Sequence, residues 1–307
     1  MSTDLTVRLG SLTLPNPVMN ASGTAGHGTE LGAYLDLSAL GAFVVKSLSA
    51  EPWPGNPAPR VHETPAGMIN SVGLQGPGVA AWLRDDLPAL RRAGVRRVVV
   101  SIWGRSVADY AAAARLLADA PEEVVAVEVN LSCPNLDGGR HLFAHDPALA
   151  AEVIEAVAVA GRPRWAKLSP NTDRLVEVAG AVAAAGAEAV TLVNTLLGMS
   201  IDVERRAPRL GGGGGGLSGP AMHPVAVRAV YDCHAAHPAL PIIGVGGVGT
   251  ATDAIELLLA GAAAVQVGTA TFADPRAPLR VLEGMARWCS ERHLRTISEL
   301  TGAAHGR

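Results

Sequence analysis

The sequence predicts a (β/α)8 barrel, the TIM-barrel class of α/β fold, and three observations lead to this prediction. Short apolar runs alternate with longer helical runs almost to the end of the chain. Each short run is continuously apolar, as expected for strands of a parallel sheet that is buried on both faces. Eight such runs fit within 307 residues, near the roughly 250 residues usual for a barrel. A doubly wound open sheet is the alternative fold.

The predicted elements follow in order along the chain. The strands cover residues 17–21, 42–47, 97–102, 124–131, 165–168, 189–194, 241–245 and 264–267. Apolar spacing near 3.6 predicts helices over residues 108–120, 147–160, 173–185, 223–236 and 251–260. The pairs Asp146-Pro147 and Thr252-Asp253 are typical of helix starts, and Gly186 and Gly261 of helix ends.

Three segments lie outside the alternation. Residues 5–14 are predicted to form a hairpin with Gly10-Ser11 at its turn, placed to plug the bottom of the barrel. Residues 51–72 and 199–217 are insertions after the second and sixth strands, and both belong to the C-terminal face, where barrels carry their active sites. The glycine tract 211–216 predicts a mobile loop. Because no linker divides the chain, residues 1–307 are expected to be a single domain.

Composition excludes several classes of function. The net charge is -3 without a block of like charge, and aromatic residues make up only 4%, so no nucleic-acid partner is expected. No uninterrupted apolar stretch reaches the ~18 residues of a membrane span, and no signal peptide is visible. The three cysteines, Cys133, Cys233 and Cys289, are too widely spaced for a disulfide framework or a metal cluster. A cytoplasmic location without a metal site follows.

Polar residues follow almost every predicted strand. Because the carboxyl ends of barrel strands meet at one face, these side chains are expected to share one cavity. Any single one could instead be a helix cap or turn residue, which is the more ordinary reading of Ser47 or Thr195 alone. The strand-end residues are Ser22, Lys46, Ser47, Asn130, Cys133, Lys167, Asn194, Thr195, Gly246, Gly247, Gly268 and Thr269.

The hexapeptide 130–135, Asn-Leu-Ser-Cys-Pro-Asn, ends the fourth strand. It delivers the thiol of Cys133 into a loop between two amides. A free cysteine is often an inert core residue, so position alone leaves packing and active-site roles equally open. Lys46 and Lys167 lie within apolar strands, where a lysine either pairs with a carboxylate or faces an anionic ligand.

Residues 244–249 match the pattern G-x-G-x-x-G after a strand. A dinucleotide fold is disfavoured, because the acidic residue expected about 20 positions later is missing and Gln266 to Thr269 stand there. In barrels, the loops after the seventh and eighth strands commonly bind phosphate through backbone N–H groups. Gly246, Gly247, Gly268 and Thr269 occupy those loops, which favours a mononucleotide such as FMN over NAD.

Nearly the whole chain resembles the class 1 dihydroorotate dehydrogenases, flavin enzymes of pyrimidine biosynthesis. The resemblance rests on residues 20–24, 45–47, 70–75, 130–135 and 193–199. The last of these, together with residues 215–221, is most similar to the catalytic subunit of class 1B.

The resemblance implies the roles of individual residues. Cys133 would be the base that removes the C5 proton of dihydroorotate, while C6 delivers hydride to N5 of FMN. Lys167 would lie at the N1/C2=O edge of the flavin. Substrate would be bound by Lys46, Asn70, Gly73, Leu74, Asn130, Asn194 and Thr195. FMN would be bound by Ser22, Lys46, Ser47, Asn130, Lys167, Val193, Gly219, Gly246, Gly247, Gly268 and Thr269.

Class 1B also implies partners. Its catalytic subunits form a dimer within a heterotetramer, and a second subunit with FAD and a 2Fe-2S cluster passes electrons to NAD. One residue departs from the family pattern: Ser101 stands where an asparagine commonly contacts FMN, so that contact is either bridged by water or lost. Two alternatives remain, a dihydropyrimidine dehydrogenase-like FMN oxidoreductase and a flavin-binding module without turnover. Asn135 and the segment 194–199 favour a dihydroorotate dehydrogenase over the first alternative, and the intact Lys46, Cys133 and Lys167 argue against the second.

Overall fold

A computed structural model describes residues 3–132 and 143–306. Its strands are β1 (Val7–Leu9), β2 (Leu12–Leu14), β3 (Val18–Asn20), β4 (Phe43–Val44), β5 (Val61–Thr64), β6 (Gly67–Asn70), β7 (Val98–Ile102), β8 (Val124–Asn130), β9 (Arg164–Lys167), β10 (Ala189–Leu192), β11 (Leu196–Gly198), β12 (Ile201–Asp202), β13 (Ala207–Pro208), β14 (Gly215–Ser218), β15 (Ile242–Val245) and β16 (Ala264–Val267). Its α-helices are α1 (Val79–Arg92), α2 (Val107–Arg115), α3 (Pro147–Ala156), α4 (Leu175–Ala184), α5 (His223–Ala236), α6 (Ala251–Ala260), α7 (Ala270–Ala273) and α8 (Ala277–Glu291).

Eight parallel strands form the barrel and confirm the predicted fold class. Their order is β3-β16-β15-β10-β9-β8-β7-β4, and a parallel bridge from Met19 to Ala42 joins the first strand to the last. The ring is therefore nearly closed, which excludes the open-sheet alternative. Each strand lies within three residues of its predicted bounds. The agreement has a simple cause, since strands buried on both faces are continuous apolar runs, and β7, for example, is buried at every position.

Helices pack around this barrel, and all five predicted ones are present. Asp146 caps α3 as predicted, because its side chain accepts hydrogen bonds from the backbone N–H groups of Ala148 and Leu149. The predicted bounds of α6, residues 251–260, are confirmed, although Thr252 is not its N-cap. Thr250 is the N-cap instead, and the side chain of Asp253 completes a capping box with it. Within the described ranges, no helix has the length and apolarity needed to cross a bilayer.

Helices α1, α7 and α8 are absent from the predicted set. The capping signals are weak, since Gly78 and Arg276 make no side-chain cap. The periodic signal was nevertheless present in α8, whose residues Ala277, Val281, Met285 and Cys289 are buried at a spacing of four. The periodic spacing of apolar residues therefore indicates such helices better than the capping residues at their ends do.

The N-terminal hairpin forms between β1 and β2, as predicted. Leu9 and Leu14 are fully buried in the core. At the turn, the backbone N–H of Ser11 donates to the carboxylate of Glu188 over 2.7 Å. Glu188 directly precedes β10, so the hairpin covers the N-terminal end of the barrel, opposite the predicted cavity.

The two insertions meet in a separate antiparallel sheet of order β11-β14-β6-β5. Asn70 of the first insertion pairs with Gly216 of the second, and Ile69 pairs with Leu217. The insertions were predicted at the same face of the barrel but not as partners. Their joint sheet rises over the carboxyl ends of the barrel strands. It continues into an exposed strip of apolar side chains at alternate positions: Leu197, Met199, Ile201 and Val203.

Candidate active site

A cavity of about 1560 Å³ opens at the carboxyl ends of the barrel strands. It is walled by the strand ends below and by the insertion sheet above. Every predicted site residue that the structure describes lines it: Ser22, Lys46, Ser47, Asn70, Gly73, Leu74, Asn130, Lys167, Val193, Asn194, Thr195, Gly219, Gly246, Gly247, Gly268 and Thr269. Cys133 and Asn135 lie outside the described residues. The structure therefore brings the predicted set together, while the individual roles stay predictions.

Amide side chains on β8 and after β10 are held in place by one another. Asn194 Nδ2 donates to Asn130 Oδ1 over 3.2 Å, and Asn194 Oδ1 accepts from the backbone N–H of Thr195 over 2.8 Å. Asn130 Oδ1 also accepts from the N–H of Ser132. Because each amide is oriented by a neighbour, the cavity presents fixed donors and acceptors, as recognition of a planar polar ring requires.

Asn171 supports this part of the wall, and the sequence analysis assigned it no role. Its side chain donates to the carbonyl oxygen of Thr195 over 3.0 Å and accepts from the N–H of Leu197 over 2.8 Å. It thereby ties the loop after β9 to the start of the insertion sheet. In the sequence, the indication of a role for Asn171 was its position just after the fifth predicted strand, next to Pro170.

The first insertion contributes a tight backbone turn to the cavity. Gly73 and the non-glycine residue Leu74 both have positive φ, at 74° and 60°. A Cβ on Gly73 would come within 2.6 Å of the side chain of Asn56. Asn70 donates from Nδ2 to the carbonyl oxygen of Gly216 over 3.3 Å. The cavity wall at Asn70, Gly73 and Leu74 is therefore held by contacts within and between the insertions.

The glycine tract 211–216 is not a loop throughout, which corrects the prediction made for it. Gly215 and Gly216 lie in β14. A Cβ on Gly215 would press on the backbone of Asn70, and one on Gly216 would collide with the side chain of Thr195. Glycine is required at these two positions because a neighbouring strand and a cavity residue approach the backbone closely.

Three serine hydroxyls form a chain beneath the cavity. Ser22 Oγ lies 3.2 Å from Ser47 Oγ, which lies 2.9 Å from Ser101 Oγ. Asn130 Nδ2 also donates to Ser47 Oγ over 3.3 Å. Ser101 is fully buried and is not part of the cavity wall, whereas Ser22 and Ser47 are. Ser101 thus puts a short polar side chain behind Ser47.

Lys167 reaches the cavity from β9 and is ion-paired from below. Its Nζ lies 3.7 Å from Oε1 of Glu128, a carboxylate on β8 with no exposed surface. Lys46 lines another part of the cavity, packed along Gly23. Burial lowers the pKa of the neighbouring His27, and the positive charge of Lys46 lowers it further. Two lysine side chains therefore line the cavity, and Glu128 is a functional candidate that the sequence analysis missed.

The loops after β15 and β16 form a glycine-lined concavity. Gly246 and Gly247 have φ values of 139° and 69°, and a Cβ on Gly247 would lie 2.6 Å from Cβ of His223. A Cβ on Gly268 would meet that of Ala21 at 3.3 Å. Thr269 Oγ1 donates to Ser218 Oγ over 2.8 Å, which joins this loop to β14. Backbone groups without side chains in front of them suit a phosphate.

The two described cysteines belong to helices outside the cavity. Cys233 lies in α5 and Cys289 in α8, and both are buried. Burial raises the pKa of the Cys233 thiol to about 12 and also raises that of Cys289. Neither thiol suits proton transfer near neutral pH, because neither lines the cavity and both are held protonated.

Comparisons with known proteins agree with this geometry. The family model for dihydroorotate dehydrogenase matches residues 4–288. The "Dihydroorotate dehydrogenase B (NAD(+)), catalytic subunit" of Desulforudis audaxviator is 51% identical over 306 residues, which are 99% of each chain. The protein of the same name in Trichlorobacter lovleyi is 48% identical over 307 residues, 100% of each chain. A Solibacter usitatus protein, provisionally named dihydroorotate dehydrogenase A (fumarate), is 47% identical over 304 residues, 98% of this chain and 99% of its own.

Proposed function

The chain belongs to the dihydroorotate dehydrogenase family, and on that premise we propose that it oxidises dihydroorotate to orotate in de novo pyrimidine biosynthesis, with FMN as its cofactor. One observation carries the proposal. A single cavity joins the oriented amides of Asn130 and Asn194, two lysines and a glycine-lined phosphate cradle. A planar anionic substrate would contact the amides and lysines, and the phosphate of a flavin would contact the glycine-lined loops beside them.

The described residues fit FMN at both of its ends. At Gly246, Gly247 and Gly268 a Cβ would meet Ala226, His223 and Ala21 at 2.7, 2.6 and 3.3 Å respectively, so these positions line the cavity with backbone alone. At the other end, the ammonium of Lys167 faces the cavity and suits the electron-rich N1/C2=O edge of a flavin. Ser22, Ser47, Val193, Gly219 and Thr269 complete the proposed cradle.

When bound, FMN supplies the acceptor for the hydride that leaves C6 of dihydroorotate. The proton at C5 goes to Cys133, an assignment supported by the motif at residues 130–135. Lys46 offsets the charge of the substrate carboxylate. Asn70, Asn130, Asn194 and Thr195 orient the ring, together with backbone groups of Gly73 and Leu74. The insertion sheet covers this wall and limits the entry of water.

We also propose that a partner subunit with FAD and a 2Fe-2S cluster passes the electrons to NAD, within a heterotetramer built on a dimer of this chain. The names of the relatives at 51% and 48% identity, each a catalytic subunit linked to NAD(+), support this. The exposed apolar strip from Leu197 to Val203 supports a protein contact near the cavity mouth. The relative named for fumarate makes direct reduction of fumarate the second candidate for the acceptor.

A cytoplasmic location is part of the proposal. Cys233 and Cys289 are free thiols in the structure, as is usual for proteins of a reducing compartment.

Anaerobic reduction of the purified chain tests the proposed reaction. We expect a bound yellow flavin that identifies as FMN and whose visible absorption bleaches promptly on addition of dihydroorotate. Cys133→Ala should slow bleaching by about two to four orders of magnitude, the usual size of a lost general base. Cys289→Ala, in α8, is the matched control and should bleach at the rate of the unmodified protein.

Other outcomes identify the alternatives. Bleaching by dihydrouracil but not by dihydroorotate would establish the dihydropyrimidine dehydrogenase-like reading. A bound flavin that neither substrate reduces would indicate a binding module without turnover. Unchanged bleaching in Cys133→Ala would show that another group is the base. Reoxidation by NAD only when an iron–sulfur flavoprotein subunit is present would support the partner, and reoxidation by fumarate alone would contradict it.

A further inference from the structure

Glu128 is a carboxylate in the interior of the barrel. It lies on β8 between Val127 and Val129, and none of its surface is exposed. Placing a lone carboxylate in such surroundings is strongly unfavourable unless it is paired and hydrogen-bonded. Glu128 shares β8 with apolar residues and Asn130, so its presence in the interior requires a partner that stabilises its charge.

The hydrogen bonds of Glu128 converge on one of its two oxygens. Oε2 accepts from Gln266 Nε2 over 2.7 Å and from Thr191 Oγ1 over 3.1 Å. Oε1 accepts no hydrogen bond from the described residues, and the nearby charged group is Lys167 Nζ at 3.7 Å. Side chains from β8, β9, β10 and β16 thus meet at this point. The two neutral donors fix the carboxylate so that its other oxygen faces the ammonium.

The ion pair connects this interior cluster to the cavity. The Lys167 side chain is only 7% exposed, yet the residue lines the cavity floor. At such burial two opposite charges interact far more strongly than they do in water. The carboxylate of Glu128 is therefore paired with the ammonium group at the cavity floor.

We propose that Glu128 is a positioning residue that holds Lys167 at the cavity floor and offsets part of its charge, and so tunes the electron affinity of the flavin. This inference rests on the proposed function, because it assumes that FMN lies against Lys167. Glu128 does not line the cavity. It acts only through the lysine, and the serine chain and the substrate amides play no part in it.

Sulfite affinity measures this charge without turnover. Sulfite adds reversibly to flavin and places negative charge on the ring, so its dissociation constant reports the positive charge nearby. Glu128→Gln keeps the size of the side chain and removes the negative charge. We expect it to lower the dissociation constant of sulfite by about tenfold or more, because the ammonium then acts unopposed in a partly buried site.

Glu123→Gln is the matched control. Glu123 is also a buried carboxylate, but it directly precedes β8 and is paired with Arg91 and Arg96 at the other end of the strand. Its substitution should leave the dissociation constant of sulfite within about threefold. A tenfold change there as well would show that the effect is not specific to the pair with Lys167, and would overturn the inference.

A double-mutant cycle tests whether Glu128 acts through Lys167. Lys167→Met should weaken sulfite binding, and Glu128→Gln in that background should have little further effect. The double variant also guards against misfolding, because replacing both members of a buried ion pair is usually better tolerated than removing one. An effect of Glu128→Gln that persisted in full without the lysine would overturn the inference.

The remaining outcomes separate the inference from the proposed function. If FMN binds with its usual spectrum but sulfite affinity is unchanged or weaker in Glu128→Gln, the positioning role is wrong and the proposed function stands. If the unmodified chain binds no FMN, both are wrong.

Discussion

The hydroxyl of Ser101 does not line the cavity, but it is hydrogen-bonded to Ser47, which does. It contacts Ser47 Oγ at 2.9 Å, and Ser47 in turn contacts Ser22 and Asn130. The sequence identified Ser101 as a departure from the family pattern, with its contact to FMN either bridged by water or lost. Its burial supports a third reading, in which Ser101 orients Ser47 and thereby contributes to cofactor binding indirectly.

Removing this hydroxyl should weaken FMN binding modestly. Ser101→Ala is expected to raise the dissociation constant of FMN by about three- to tenfold, the equivalent of one net hydrogen bond. Fluorescence titration of the apoprotein with FMN measures this. Ser290→Ala, an exposed serine of α8, is the control and should not change the affinity. An affinity unchanged in Ser101→Ala would show that Ser47 is positioned without it.

At the scale of elements, the insertion sheet is the part of the fold that completes the cavity. Its strands β6 and β14 come from insertions far apart in the sequence and meet at Asn70 and Gly216. Gly216 also lies against Thr195, which follows the sixth barrel strand. The sheet and the barrel therefore share a contact at a residue predicted to bind substrate.

A methyl group at this contact should disturb substrate binding. Gly216→Ala is expected to raise the dissociation constant of orotate about tenfold or more, because overpacking at a tight contact typically costs 1–3 kcal/mol. Perturbation of the flavin spectrum by orotate gives the constant. In the control Gly214→Ala, the new Cβ would lie 3.3 Å from its nearest neighbour, the carbonyl oxygen of Gly198. Equal effects in both variants would contradict the importance of the Thr195 contact.

At the scale of the whole molecule, stability and the proposed chemistry lie at opposite ends of the barrel. The N-terminal hairpin closes one end with the fully buried side chains of Leu9 and Leu14. The cavity occupies the other end. In barrels of this class the bottom face commonly serves stability and the top face catalysis.

This separation predicts that a core substitution in the hairpin affects folding alone. Leu9→Ala should lower the free energy of unfolding by about 2–5 kcal/mol, the range for large-to-small substitutions at buried leucines. Denaturant-induced unfolding measures the loss. The dissociation constant of orotate at 25 °C should stay within about twofold. A parallel loss of orotate affinity would show that the two ends are coupled.

The sequence by itself determined the barrel, the eight strand positions and the residues at the strand ends. These follow from local pattern, since a strand buried on both faces is a continuous apolar run and the polar residue that ends it falls at the same rim as its neighbours. The strand-end residues were assigned to one cavity on this basis, and those that the structure describes line one cavity, whereas Cys133 lies outside the described residues.

Only the tertiary structure decided which distant residues meet. It joined the two insertions into one sheet, put Ser101 behind Ser47, and brought Glu128 together with Lys167, Thr191 and Gln266. Each contact depends on the register between strands and on which way their side chains face, and no local period encodes that register. Glu128 illustrates the difference: in the sequence it is one acidic residue in an apolar strand, and in the folded barrel it faces the lysine at the cavity floor.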